Sequence, residues 1–73
     1  MPVEEPHHIV CLLDSLLEER GMTLTELARR VDVTLANLSK LKNNRAKAVR
    51  FSTLTAICRE LRCQPGDLFR VQE

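Results

Sequence analysis

Leu24-Thr25-Glu26-Leu27-Ala28-Arg29-Arg30-Val31-Asp32-Val33-Thr34-Leu35-Ala36-Asn37-Leu38-Ser39-Lys40-Leu41-Lys42-Asn43 reads as two short helices meeting at a sharp corner. The first starts at the capping box Thr23-Leu24-Thr25-Glu26. There the Thr23 hydroxyl accepts from the Glu26 amide, and the Glu26 carboxylate reaches back to the Thr23 amide. Met22 and Leu27 flank the box at the staple positions, and Leu27, Ala28 and Val31 point inward. A second start falls at Thr34, with Val33 and Leu38 as its staple pair and Leu38 and Leu41 facing the core. Only Asp32-Val33 separates Val31 from Thr34, so the two helices must turn abruptly, as in a helix-turn-helix unit. Such a unit needs a small residue where the helices approach, supplied by Ala28. It also needs a residue that tolerates positive φ at the turn, and Asp32 is acceptable there.

On the N-terminal side, Ile9, Leu12, Leu13, Leu16 and Leu17 fall at the three-and-four spacing of one apolar stripe, predicting a first helix that stops at Gly21. On the C-terminal side, the polar run Lys42-Asn43-Asn44-Arg45 ends the third helix, either asparagine being able to take positive φ. Ser52 is expected to cap a fourth helix with Leu54, Ile57, Cys58 and Leu61 inward. Pro65-Gly66-Asp67-Leu68-Phe69 reads as a fifth helical turn with Pro65 at its first position and Asp67 near the positive end of the dipole. The tail Phe69-Arg70-Val71 alternates as a short edge strand would. Its partner is either the segment before the first helix or the same tail of a second subunit. The expected fold is all-α with five helices and a possible terminal strand pair. It divides into a flexible segment 1–8, a domain over 9–69 with its helix-turn-helix unit at 24–43, and a tail 70–73.

Seventy-three residues, 44% hydrophobic and 29% charged, suit one small domain with no room for a deep cleft beside its core. The longest apolar run, Ile9 to Leu13, is far short of a bilayer span, and the acidic start MPVEEPHH lacks the basic character of a secretory signal. A cytoplasmic location is expected, with no membrane partner and no second domain for a small-molecule effector. The formal charge of +1 hides an asymmetry: residues 1–32 carry −4, residues 33–59 carry +6 with no acid at all, and residues 60–73 carry −1. Positive charge gathered into one stretch of an otherwise acidic chain suits a polyanion. Without regularly interleaved aromatics, duplex DNA fits better than a single strand.

The twenty residues from Leu24 to Asn43 resemble the helix-turn-helix of Cro/C1-type (Xre-family) bacterial and phage regulators. The likeness runs from about residue 9 to 69, through the ending Cys63-Gln64-Pro65-Gly66-Asp67-Leu68, which looks like a compact single-domain subgroup. It implies a lambda-repressor-like five-helix bundle whose third helix, about 35–42, enters the major groove, usually from a homodimer. It also implies a transcriptional regulator, as a repressor, associated with the nucleoid when bound. Two positions depart from the family pattern: the turn glycine is Asp32, and the glutamine that often opens the second helix is Leu24.

With Leu38 and Leu41 turned inward, Ala36, Asn37 and Lys40 face outward, with Leu35 and Ser39 at the margins. Asn37 suits adenine, Lys40 suits guanine O6 or N7, and Ala36 or Leu35 suits a thymine methyl. Asn43, Arg45, Lys47 and Arg50 follow the groove helix and are expected over flanking phosphates, joined by Thr23 and Thr25 at the start of the second helix. A rival reading is an antitoxin-like protein-interaction module whose DNA binding is vestigial. Catalysis is not expected, because no carboxylate pair, Ser/His/Asp set or phosphate-cradling glycine loop is present. Cys11 and Cys58 lie on apolar stripes as small buried hydrophobes. Cys58 and Cys63, five apart, match neither a CxxC knuckle nor a helical neighbour pair, so no metal or other cofactor is expected.

Overall fold

A computed structural model describes residues 8–72. The elements run β1 (Ile9–Cys11), α1 (Leu13–Arg20), α2 (Leu24–Val31), α3 (Leu35–Lys42), α4 (Phe51–Leu61), α5 (Pro65–Leu68) and β2 (Phe69–Val71). The fold is the expected five-helix bundle closed by a two-stranded antiparallel sheet. Residues 1–7 of the N-terminal segment, read from sequence as flexible, lie outside the described residues.

The corner between α2 and α3 forms as the sequence requires. The Thr23 hydroxyl accepts from the Glu26 amide at 3.1 Å, and the Thr34 hydroxyl accepts from the Asn37 amide at 3.1 Å. Asp32 takes the left-handed conformation at φ 55°, ψ 45°, and the Val33 amide returns to the Ala28 carbonyl at 3.1 Å. The reciprocal half of the capping box is not made. Glu26 Oε1 instead accepts from Arg30 one turn on, at 2.8 Å, and Arg30 also reaches Glu60 at 3.4 Å, tying α2 to α4.

The start of the chain differs from the expected first helix. Ile9–Cys11 is a strand paired with β2 in the register Ile9 to Val71, Val10 to Arg70 and Cys11 to Phe69, and α1 begins only at Leu13. Apolar positions 9, 12 and 13 serve a helix and a strand equally well. The ladder wins because Phe69–Val71 is in place to pair, and the Leu12 amide closes it on the Leu68 carbonyl at 2.7 Å. Of the two partners open to the tail, the chain uses its own first segment. For the same reason Phe69 belongs to β2, and α5 stops at Leu68.

The fourth helix also starts earlier than Ser52. Its first carbonyl is that of Arg50, which accepts from the Leu54 amide at 2.9 Å, so Arg50 holds the cap position and Ser52 lies inside the first turn. A start at Ser52 would forfeit that bond while Leu54 turns inward.

The core gathers Leu13, Leu27, Leu38, Ile57, Leu61 and Leu68, all fully buried. Each contributes about 1.5–3 kcal/mol by leaving water. Leu24, where the family pattern has glutamine, packs against this cluster. Its side chain strengthens the hold on α2 instead of offering a polar contact at the surface.

Candidate nucleic-acid interface

The third helix presents to water the face that its two buried leucines leave free. Ala36, Asn37 and Lys40 are exposed, Leu35 is 47% exposed, and Ser39 is half-buried. The Thr34 cap takes up the Asn37 backbone amide. The Asn37 carboxamide and the Lys40 ammonium have no hydrogen-bond or ion-pair partner among the described residues. Lys42, by contrast, turns toward α1 and stands 3.9 Å from Asp14.

Four helices end in the same way, with a left-handed residue that turns the chain back onto the last turn. At α1 the Met22 amide bonds the Leu17 carbonyl (3.0 Å), at α2 Val33 bonds Ala28 (3.1 Å), and at α4 Cys63 bonds Cys58 (3.0 Å). The residue pairs so joined are apolar or thiol. At α3 the left-handed residue is Asn44 (φ 62°), and the Arg45 amide bonds the Lys40 carbonyl at 2.8 Å. The third helix thus ends by joining two cations where α1, α2 and α4 join uncharged residues. No acid between residues 33 and 59 relieves them.

The chain then runs from Arg45 to Arg50 without regular structure and meets α4. Asn37 and Lys40 line one surface depression of about 410 Å³ together with Arg45, Lys47 and Arg50. Two groups that are separate along the chain, the polar edge of α3 and the basic loop after it, therefore share one concave surface. Thr23 and Thr25 are exposed at the first turn of α2, outside the lining of this depression, and the Thr23 hydroxyl is already committed as the helix cap. Asn43 is exposed beside it and donates from Nδ2 to Ser39 Oγ at 3.3 Å.

Sequence reasoning missed the second job of Asn44. Its Oδ1 accepts from the Cys11 amide at 2.7 Å, fastening the outer edge of β1 to the end of α3. Nothing local marks a bond across thirty-three residues. Among the described residues no group of three or more His, Cys, Asp or Glu side chains is placed to hold a metal ion, and no helix is long and apolar enough to cross a membrane.

A model of the Cro/C1-type HTH DNA-binding domain matches residues 13–73. The chain belongs to this family. A relative, the HTH-type transcriptional regulator YozG of Bacillus subtilis (strain 168), is 57% identical over 60 residues, spanning 82% of this chain and 71% of that protein. The crystal structure of the transcriptional regulator VanUg is similar with a TM-score of 0.75 at 27% identity, covering 99% of this chain and 95% of that one. DNA is thus the ligand class of the Cro/C1-type domain formed here.

Proposed function

We propose that this Cro/C1-type protein is a transcriptional regulator, acting as a repressor, that binds specific double-stranded DNA with α3 in the major groove. The observation that carries the reading is the single depression lined by Asn37, Lys40, Arg45, Lys47 and Arg50. In this reading Leu35, Ala36, Asn37, Ser39 and Lys40 meet base edges, with Asn37 toward adenine and Lys40 toward guanine. Thr23, Thr25, Asn43, Arg45, Lys47 and Arg50 meet phosphates and set the register. The protein works in the cytoplasm, on the nucleoid, with 9–69 as the binding domain and 24–43 as its helix-turn-helix unit.

One copy covers few base pairs, so the reading includes a homodimer on half-sites about one helical turn apart. Its interface is drawn through α5 and the terminal segments. Val71 (65% exposed) and Ile9 sit opposite each other at the end of the ladder, past the reach of the core, and support that placement. Phe69, at the inner end of the same strand, is turned onto the core and adds nothing to that surface.

The test begins by selecting bound duplexes from a random library. Against the selected site, Asn37→Ala is expected to lose roughly 5- to 150-fold in affinity while non-specific binding holds. Arg45→Ala is expected to weaken all duplexes about equally. Equal behaviour of the two variants in competition would overturn the assignment of bases to one group and phosphates to the other.

A further inference from the structure

Cys58 and Cys63 are brought together by the turn that ends α4. Arg62 is left-handed at φ 52°, its amide bonds the Arg59 carbonyl at 3.3 Å, and the Cys63 amide bonds the Cys58 carbonyl at 3.0 Å. That single bond caps the distance between the two Cα atoms. Adding the covalent reach on each side gives no more than about 6.9 Å, under the roughly 7 Å beyond which two cysteines cannot be bridged. The two side chains also act on each other, the Cys58 thiol raising that of Cys63. The five-residue spacing that looks unpromising in a straight helix is therefore the spacing of neighbours in this turn.

The two thiols differ in access. Both line an open groove beside Phe51, Arg59 and Arg62, but Cys58 is buried at its wall while Cys63 is only half-buried. Cys11, the remaining cysteine, is buried in β1. We propose that Cys58 and Cys63 form an oxidisable dithiol, closed to an intramolecular disulfide by a low-molecular-weight disulfide. Cys63 Sγ, deprotonated, attacks one sulfur of the reagent and releases one equivalent of small thiol. Cys58 Sγ, deprotonated in turn, then attacks Cys63 Sγ and releases the second. Two protein thiols and one small disulfide become one protein disulfide and two small thiols, with no other reactant. Burial and the adjacent Cys58 push the Cys63 thiol up to about 11, so this thiol stays protonated near neutrality. The exchange quickens as pH rises, because the thiolate is the nucleophile.

The experiment uses the full chain, reduced and then incubated with oxidised glutathione at pH 9, followed by alkylation of free thiols and tryptic mapping. Cleavage after Arg59 and Arg62 separates the two cysteines. The expected product is the peptide 51–59 joined by a disulfide to the peptide 63–70, with the tripeptide 60–62 released and Cys11 alkylated. Cys11→Ala is expected to give the same linked pair, and Cys63→Ser to give none. Recovery of both peptides singly alkylated, a bridge to Cys11, or a bridge between two chains would overturn the proposal. The map of the unmodified protein decides it even if a variant fails to fold.

Discussion

Asp32 shows what one residue contributes to the corner on which the interface depends. At φ 55° its Cβ crowds the following carbonyl, a conformation that costs an L-residue about 1–2 kcal/mol and an aspartate somewhat less. Glycine avoids the crowding but gives back part of the gain through its freer unfolded chain. The balance for Asp32→Gly is a stabilisation of about 0.5 kcal/mol, seen as a rise of roughly 2–4 °C in the thermal midpoint for a domain this small. An unchanged or lower midpoint would show that the turn holds aspartate without strain. Replacing Leu24 by glutamine tests the other departure from the family pattern in the opposite sense, because Leu24 is packed on the core and its loss is felt as stability.

Between elements, Asn44 does two things at once, and substitutions can separate them. It takes the left-handed turn at the end of α3, and its Oδ1 accepts from the Cys11 amide of β1. Asn44→Gly keeps the turn and loses the acceptor, leaving a part-buried amide without a partner, at an expected cost of about 1–3 kcal/mol. Asn44→Ala loses both, and chemical denaturation should place it about 1 kcal/mol below the glycine variant. Equal stabilities would mean that the turn contributes nothing beyond the bond. The pairing of these jobs also marks where the sequence stops being legible. Thr23, Asp32 and Thr34 act on residues within five positions of themselves, so the α2–α3 corner and the outward face of α3 can be read directly. Ile9–Cys11 takes its conformation from a strand sixty residues away, and its apolar spacing does not distinguish strand from helix. The start of α4 follows from the inward register of Leu54, which overrides the better capping chemistry of Ser52. Cys58 and Cys63, like Lys40 and Arg45, become neighbours only through a left-handed residue between them. In both cases that residue is not glycine, the usual sign of such a turn.

For the whole molecule, charge geometry separates a monomer from a dimer on DNA without any structure of the complex. Arg45, Lys47 and Arg50 are the three cations assigned to phosphates in each copy. Neutralising three phosphates gives a slope of log affinity against log salt of about −2.7, and two copies on one duplex give about −5.4. Between 50 and 200 mM salt the two-copy complex therefore weakens by roughly two-thousandfold and the single copy by roughly fortyfold. Fluorescence anisotropy on a duplex carrying both half-sites measures the slope directly. The dimer reading expects the steep value, falling by about 1.8 in Arg45→Ala because each copy loses one contact. A wild-type slope near −2.7, unchanged when one half-site is scrambled, would mean that the copies bind independently. In that event the exposed Ile9–Val71 end of the ladder would not serve as a dimer contact.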